Sequence, residues 1–402
     1  MEQNNYHEIS IPLGTLGLIG MHGTEDISAR IDYYLTNWRK NRHNEFLKEA
    51  DFIGYCRDSY QLKAHCPRFG TGEAKGVASE SMRGYDLYIL VDTFNYGVTY
   101  KMYGKEVPMS PDDHYQDLKR VIAACSGKAK RINVIMPMLY EGRQHKRSTR
   151  ESLDCALCLQ ELVNMGVDNI LTFDAHDARV QNAIPLSSFE NIHPTYQFLK
   201  AMCRTIADFE IDRDHLMIIS PDEGAMSRCT YYSSVLGVDL GMFYKRRDYS
   251  VIVDGRNPIV AHEFLGSSVE GKDLVIVDDM IASGDSVLDI AEKLKQQGAR
   301  RIFVCTTFGL FTAGLDVFDK AYADGMIERV FTTNLIYRTP ELLQREWYTE
   351  VDMSKYIAYF IDTLNHDQSI SGLLNPVHRI NNLLERKRKG EIEVHDPRYE
   401  KK

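Results

Sequence analysis

Residues 274–286 of this 402-residue chain read Leu-Val-Ile-Val-Asp-Asp-Met-Ile-Ala-Ser-Gly-Asp-Ser. Four apolar residues predict a short buried strand, which is followed by two adjacent carboxylates and a loop of small residues. Apolar residues at helical spacing from Val287 to Leu294, with Gly298 after them, predict that the loop leads into a helix. A strand, loop and helix joined in this way direct backbone N–H groups and the positive end of a helix dipole at one place. The segment therefore predicts a phosphate-binding site.

The carboxylates and the loop predict different contacts. Asp278 and Asp279, placed where a parallel strand ends, can hold vicinal hydroxyl groups, either directly or through a metal ion. Ser283, Gly284 and Ser286 can hold the phosphate of a sugar phosphate. The Gly-Lys-Ser/Thr ending of nucleotide-binding P-loops is absent. The plainer alternative is a strand-to-helix connection capped by aspartate, but two buried acids without partners are costly.

Strands and helices alternate along most of the chain. Strand patterns cover residues 132–136, 169–173, 216–219, 240–244, 274–277 and 301–306. The alternation predicts an α/β fold with open, mostly parallel sheets and helices on both faces. Ligands of such sheets bind at the carboxyl ends of the strands, which is where the polar clusters of this chain fall.

Other segments give more local predictions. A capping-box pattern at 148–151 predicts a helix that runs from there to about Met165. Residues 24–66 look helical and charged. The stretch 95–113, rich in Tyr, Gly and Pro, predicts a loop or short hairpin insertion. The tail 385–402 is strongly charged and predicts a solvated segment.

Composition bounds the class of protein. Hydrophobic residues make up 44% and charged residues 26%, as in soluble globular proteins. The net charge of -9 argues against nucleic acid as a main partner, although basic residues concentrate at 143–150 and 245–247. No apolar run reaches membrane-spanning length, the start lacks the basic residues of a secretory signal, and eight cysteines lack framework spacing. These features predict a cytoplasmic protein with no membrane partner.

The 274–286 segment resembles the binding motif for 5-phosphoribosyl 1-diphosphate (PRPP), which type I phosphoribosyltransferases share with PRPP synthetases (ribose-phosphate pyrophosphokinases). Further segments resemble PRPP synthetases in order and spacing, from about residue 66 to about residue 310. They resemble the family's adenine-contacting loop (68–73), its ATP-binding loop (137–147), and its metal and catalytic-loop region (220–222 and 245–247). Asp174-Ala175-His176 resembles the family's Asp-Leu-His motif.

The resemblance implies one reaction, in which ATP and ribose 5-phosphate give PRPP and AMP. The C1 hydroxyl of the sugar attacks the β-phosphorus, so an intact diphosphoryl group moves. Such a displacement needs positioning and charge neutralisation, and Mg²⁺ on the ATP phosphates supplies part of the neutralisation. The resemblance implies that His176 and Asp222 bind or orient the metal–nucleotide unit, and that Lys245 and Arg247 stabilise charge on the transferred group.

The resemblance also implies how ATP is held. Arg143 and Gln144 would contact phosphate and base edge, with Phe69 and Glu73 on the adenine. In the family the adenine loop acts across a subunit interface, which implies a homo-oligomer built from dimers, with a hexamer as the larger form. The plainer alternatives are a core histidine at 176, a core phenylalanine at 69 and solvated basic runs.

The implied fold has two α/β domains with mostly parallel sheets. Residues 1–194 form the first, which carries the ATP loops and the insertion near 95–113. Residues 195–360 form the second, which is like type I phosphoribosyltransferases and carries the ribose 5-phosphate site. Residues 361–402 form a helix that returns to the first domain, followed by the charged tail.

Four positions depart from the family pattern. Thr71 and Ala282 stand where aspartate is usual, and Asp285 and Ala225 stand where glycine is usual. These changes leave open a regulatory, non-catalytic homologue that binds nucleotide or synthetase subunits. A type I phosphoribosyltransferase is the other alternative, and the segments upstream of the PRPP motif disfavour it.

Overall fold

The computed structural model of the chain describes residues 11–46, 54–247 and 259–395. These residues divide into two compact units. The first comprises Met1–His193, Asn334–Tyr337 and Asp352–Asn375, and the second comprises Pro194–Thr333, Arg338–Val351 and Pro376–Lys402.

The strands in chain order are β1 (Thr15–Gly20), β2 (Ala64–His65), β3 (Val77–Ala78), β4 (Tyr85–Leu90), β5 (Thr99–Met102), β6 (Lys105–Pro108), β7 (Arg131–Ile135), β8 (Asn169–Phe173), β9 (Ser188–Ile192), β10 (Leu216–Ser220), β11 (Asp239–Arg247), β12 (Ile259–Leu265), β13 (Asp273–Ile281), β14 (Arg301–Gly309), β15 (Arg329–Thr333) and β16 (Tyr348–Val351). The helices are α1 (Glu25–Phe46), α2 (Pro111–Cys125), α3 (Asp154–Asn164), α4 (Thr195–Thr205), α5 (Met226–Leu236), α6 (Asp285–Gln296), α7 (Asp316–Ala323), α8 (Pro340–Leu343), α9 (Ser354–Asn365), α10 (Ser371–Leu374) and α11 (Val377–Arg388).

The first unit is built on a parallel sheet with the order β1-β4-β7-β8-β9. Its central strands are mostly apolar and almost fully buried, as is usual when helices cover both faces of a sheet. Because the strands are parallel, the loops that follow β7, β8 and β9 leave from the same edge. The predicted nucleotide residues at 143–144 and 176 lie in two of these loops.

A segment from the C-terminal part of the chain completes the first unit. Helix α9 packs along α1, with Trp38 stacked on Tyr359 at 4.4 Å between ring centroids. Arg39 Nε donates to Asp362 Oδ1 at 3.1 Å in the same contact. The returning segment is 352–375 rather than 361–402. Helix α11 packs instead on α4 of the second unit, because Ile380, Leu383 and Leu384 form a buried apolar face.

The second unit contains a larger sheet with the order β12-β11-β10-β13-β14-β15-β16. All neighbouring strands are parallel except β11 and β12. From the central strand β10 the chain continues to β11 on one side, and from β13 it continues to β14 on the other side. This arrangement is a topological switch point, which leaves a crevice at the carboxyl ends of β10 and β13.

The α/β fold with two mostly parallel sheets is confirmed, and several element ends differ from their predictions. The helix expected from residue 148 begins at Asp154, although Ser148 N–H does donate to Glu151 Oε2 at 3.2 Å. Helix α1 is described as far as Phe46, and residues 47–53 lie outside the described residues. Residues 54–66 are not helical, although a helical pattern was expected over 24–66. The insertion near 95–113 was predicted to be a loop or a short hairpin, and it contains the hairpin β5–β6.

Candidate functional site

The crevice of the second unit brings together two of the predicted segments. Ile219 pairs with Ile276, and β10 then ends at Ser220. Strand β13 continues to Ile281 and pairs with β14 as far as that residue. Asp278 and Asp279 were expected to follow the strand, but both lie within β13, near its end. Asp278 and Asp279 therefore extend beyond the end of β10, beside the loop that carries Asp222.

The two adjacent aspartates are crowded. Asp279 is buried, and its backbone N–H donates to Asp278 Oδ1 at 2.8 Å. Burial and the neighbouring Asp279 carboxylate raise the pKa of Asp278 well above its usual range. Arg228 from α5 opposes this shift, since its Nη1 lies 3.8 Å from Asp278 Oδ1. A pair of this kind favours protons, cations or hydroxyl donors as ligands.

Arg228 and Thr306 are two residues at this site that the sequence does not single out. Thr306 pairs with Asp278 across β14 and β13, and its buried hydroxyl has no hydrogen-bond partner among the described residues. Arg228 lies six residues after Asp222. Both residues come close to Asp278 only because β10, β13 and β14 are neighbours in the sheet.

Asp222 organises the turn that precedes α5. Its Oδ1 accepts hydrogen bonds from the backbone N–H groups of Gly224 at 2.9 Å and Ala225 at 3.2 Å. Ser220 Oγ donates to the carbonyl oxygen of Asp222 at 2.7 Å. Asp222 therefore stabilises the turn before α5, whose N-cap is Ala225, and is not itself the N-cap. It commits one carboxylate oxygen to the turn.

The loop between β13 and α6 is tightly built. Gly284 has φ of 102°, and a Cβ atom there would lie 2.4 Å from the ring of Phe318. Ser283 Oγ donates to Asp285 Oδ2 at 2.9 Å, and α6 begins at Asp285. Asp285 and Ser286 are exposed. The predicted strand–loop–helix connection is therefore present, with a carboxylate at the amino end of its helix, and phosphate binding there stays a prediction.

Lys245 and Arg247 lie in β11, which extends beyond the predicted strand 240–244 into the region that the resemblance assigns to a catalytic loop. Met242 pairs with Ser220, so these two residues extend past the end of β10 at the same edge of the sheet. Strand β12 pairs with them through His262 and Ile259, with a register shift between Arg246 and Arg247. The rest of the expected loop, 248–255, lies outside the described residues.

The ATP-type residues of the first unit follow neighbouring strands. Arg143 is exposed after β7, and Gln144 Nε2 donates to the carbonyl oxygen of Ser152 at 3.0 Å. His176 is exposed after β8, so the core-histidine alternative is wrong. The ring centroids of His145 and His176 are 5.3 Å apart, which joins the two loops.

A buried aspartate paired with an exposed histidine lies at the same edge. Asp174 is buried with φ of 39°, a conformation that is uncommon for a residue with a side chain. His193 Nδ1 lies 2.5 Å from Asp174 Oδ1, just after β9. The sequence gives no signal for His193, because its partner is 19 residues away.

The adenine-type loop is a tight turn. Phe69 N–H donates to Glu73 O at 2.7 Å, and Gly72 N–H donates to Phe69 O at 2.9 Å. Thr71 Oγ1 donates to Glu73 Oε2 at 2.8 Å. Phe69 is 54% exposed, so the core-packing alternative is wrong for this residue.

The two predicted metal ligands belong to different units, His176 to the first and Asp222 to the second. Within the described part of the chain, one group of three ligand-type side chains lies close together, formed by Glu210, Asp212 and His215. This group is exposed and precedes β10, at the opposite edge from the crevice. No helix in the described ranges is both long and apolar enough to cross a bilayer.

Comparisons with known proteins agree with this arrangement. The N-terminal domain of ribose phosphate pyrophosphokinase matches residues 25–166, and the phosphoribosyl synthetase-associated domain matches residues 251–375. The ribose-phosphate pyrophosphokinase of Vibrio cholerae is 28% identical over 77% of this chain and 90% of its own length. That of Parasynechococcus marenigrum is also 28% identical, over 67% of this chain and 74% of its own length.

A solved structure extends the likeness to the fold. The crystal structure of phosphoribosylpyrophosphate synthetase from Mycobacterium smegmatis matches with a TM-score of 0.68 and 20% sequence identity. The match covers 88% of this chain and 99% of that one. Family models, relatives and fold agree, and the chain belongs to the ribose-phosphate pyrophosphokinase (PRPP synthetase) family.

Proposed function

We propose that this protein transfers the diphosphoryl group of ATP to the C1 hydroxyl of ribose 5-phosphate, giving PRPP and AMP. The observation that carries the proposal is the crevice of the second unit, where Asp278 and Asp279 adjoin the 282–286 loop. Family membership alone would not carry it, because related folds serve different reactions.

Ribose 5-phosphate is proposed to bind in this crevice. The carboxylates of Asp278 and Asp279 would accept hydrogen bonds from the 2- and 3-hydroxyl groups, which suits a crowded anionic pair. The backbone and side chains of Ser283, Gly284 and Ser286 would hold the 5-phosphate at the amino end of α6. The C1 hydroxyl would then point away from the phosphate loop.

Magnesium is the cation proposed for this site. Hard cations prefer carboxylate and carbonyl oxygens, and the crowding of Asp278 and Asp279 would be relieved by positive charge. Asp222 and His176 would bind or orient the cation with its nucleotide. When bound, Mg²⁺ supplies charge neutralisation on the ATP phosphates.

ATP is proposed to bind through residues of the first unit. Arg143 would contact phosphate, Gln144 the base edge, and Phe69 and Glu73 the adenine. The exposure of Arg143 and Phe69 supports roles in ligand binding over roles in the core. A homo-oligomer built from dimers, with a hexamer as the larger form, and a cytoplasmic location stay predictions.

Lys245 and Arg247 are proposed as the catalytic cations. Charge on the transferred group grows as the diphosphoryl group leaves AMP, and fixed cations stabilise that charge. Their place on β11, past the end of β10, supports this role because the sugar site lies at the same edge.

A single assay tests the reaction. The protein is incubated with ATP, ribose 5-phosphate and Mg²⁺, and AMP and PRPP are quantified by chromatography. We expect equimolar products, no AMP without the sugar, and a loss of about 100- to 1000-fold for Lys245→Ala. Lys320→Ala, an exposed lysine on α7, is the matched control. Full turnover by Lys245→Ala would refute its catalytic role.

A regulatory homologue is the second candidate. The hydrogen bond from Ser283 to Asp285 favours it, because a serine of the phosphate loop is already satisfied by a carboxylate. This candidate predicts that the protein binds ATP but releases no AMP. The same assay, combined with an ATP-binding measurement, separates the two functions.

A further inference from the structure

The hairpin β5–β6 is fastened to the turn that presents Phe69. Tyr103 N–H donates to the carbonyl oxygen of Gly70 at 2.8 Å. A Cβ atom at Gly72 would lie 2.9 Å from Met102 Sδ, so the Met102 side chain of the hairpin packs closely on the backbone of the turn. The hairpin and the turn at 68–74 therefore form one contiguous structure. A turn of this size would otherwise have few contacts to fix its shape.

Arg68 holds the base of this structure in place. Its Nη2 donates to Asp117 Oδ2 of α2 at 2.8 Å, and both side chains are largely buried. Its guanidinium carbon lies 4.6 Å from the centroid of the Tyr100 ring, which belongs to β5. Tyr100 in turn donates to Asp113 Oδ1 at 3.4 Å. One arginine thus ties the turn to both the hairpin and α2.

The tip of the hairpin presents a second aromatic ring. Tyr103 and Gly104 have φ of 49° and 78°, as in the two-residue turns that connect tight hairpins. The side chain of Tyr103 is 77% exposed, and that of Phe69 is 54% exposed. Two aromatic side chains thus extend into solvent from backbones joined by a hydrogen bond. Neither exposure is explained by packing within the described structure.

Exposed aromatic rings on a rigid support suit the flat face of a nucleobase, since stacking requires apolar area and little polar readout. Glu73, in the same turn, adds a carboxylate that can accept from an exocyclic amino group. We propose that the hairpin β5–β6 is part of the nucleobase site and that Tyr103 stacks on the purine together with Phe69. The inference rests on the proposed function, which puts ATP at this loop.

Calorimetric titration of the full-length protein with ATP, and separately with tripolyphosphate, tests the inference. Tyr103→Asn removes the ring and tolerates the positive φ of this position. We expect it to weaken ATP binding about tenfold and to leave tripolyphosphate binding unchanged, because only ATP carries a base. Tyr103→Phe should restore the affinity. Tyr33→Ala, another exposed tyrosine, is the matched control and should bind both ligands as the wild type does.

The outcomes separate this inference from the proposed reaction. Unchanged ATP affinity in Tyr103→Asn, or an equal loss for tripolyphosphate, would overturn the stacking role. ATP binding without PRPP formation would reject the proposed reaction alone, and the Tyr103 variants would still decide the inference. If the wild-type protein bound no ATP, both would fail.

Discussion

At the scale of single residues, Asp278 shows how a binding site can oppose folding. Burial and Asp279 raise its pKa, so the folded chain holds this proton more tightly than the unfolded chain does. Stability is therefore unaffected below the ordinary carboxyl pKa and falls as the pH rises towards the raised pKa. A ligand that donates hydrogen bonds or carries positive charge would restore the stability that is lost when the pair ionises.

Asp278→Asn should separate stability from activity. Without ligand, we expect the variant to be more stable than the wild type, by a margin that grows from pH 4 to pH 8, because the amide cannot ionise. PRPP formation should fall about 100-fold or more. Thermal unfolding across this pH range gives the first comparison, and Asp324→Asn, an exposed aspartate, is the control. A pH-independent difference would contradict the raised pKa.

Asp285 gives a second prediction at this scale. Its carboxylate accepts the hydrogen bond of Ser283 Oγ and adds negative charge where a sugar phosphate is expected to bind. We expect Asp285→Asn to lower the KM for ribose 5-phosphate about two- to fivefold, since like charges a few ångströms apart repel modestly in water. Asp289→Asn, one turn along the same helix, should leave the KM unchanged. A higher KM in Asp285→Asn would indicate that the carboxylate binds substrate or cation.

At the scale of elements, helices α1 and α9 are joined by a buried charge network. Asp362 receives Arg39 Nε at 3.1 Å and Arg42 Nη2 at 2.7 Å, and Arg39 Nη2 also donates to Asn365 Oδ1 at 2.7 Å. Burial alone would raise the pKa of Asp362, but the two guanidinium groups outweigh it and lower that pKa. The network fixes which face of α9 meets α1.

Asp362→Ala should destabilise the protein severely. Arg39 is 1% exposed, so the substitution leaves a buried guanidinium without its carboxylate. Breaking a buried pair from one side costs about 3–5 kcal/mol. Urea unfolding measures the loss, and Asp58→Ala, which breaks the exposed Lys40–Asp58 pair, should change stability little. Equal effects of the two substitutions would show that burial of the network contributes nothing.

Element types follow from the sequence better than element ends do. Val287, Ile290 and Leu294 are buried in α6, as their spacing predicts. The 148–151 pattern forms its local hydrogen bond without starting a helix, and β13 outlasts its predicted end because β14 continues to pair with it. Such ends depend on neighbours that the local sequence does not contain.

Some residues of the candidate site can likewise be predicted from the sequence, and others cannot. Asp278, Asp279 and the 282–286 loop are contiguous, so their pattern is visible in the sequence. Arg228 and Thr306 come next to Asp278, and His193 next to Asp174, only through the order of the strands, so no local pattern marks them. The contacts of the hairpin tip with the Phe69 turn also join segments that are more than 30 residues apart.

At the scale of the whole molecule, the chain passes between its two units at five places, after residues 193, 333, 337, 351 and 375. The last two passages deliver α9 to the first unit and α11 to the second. Helix α11 lies on α4, where Lys387 Nζ donates to Ile206 O at 3.4 Å and His395 N–H donates to Arg204 O at 2.7 Å.

Truncation after Asn375 should therefore affect one unit. Removal of α11 uncovers apolar surface on α4, so we expect faster amide hydrogen exchange in α4 and unchanged exchange in α1 and α9. Hydrogen exchange with mass spectrometry localises the effect. Truncation after Val351 is the matched comparison and should expose α1 as well. If truncation after Asn375 accelerated hydrogen exchange equally in both units, the units would not respond separately.

The passage that brings in α9 also has a consequence for synthesis. The ribosome finishes the five strands of the first sheet by residue 192, but α9 begins only at Ser354. At about 5–20 residues per second, the nascent first unit waits roughly 10 to 30 s for its last helix. During that interval Arg39 lacks Asp362, and the surface of α1 that faces α9 is uncovered. Slow translation of 194–353 would prolong the exposure, so the codon usage of this stretch bears on the yield of folded protein.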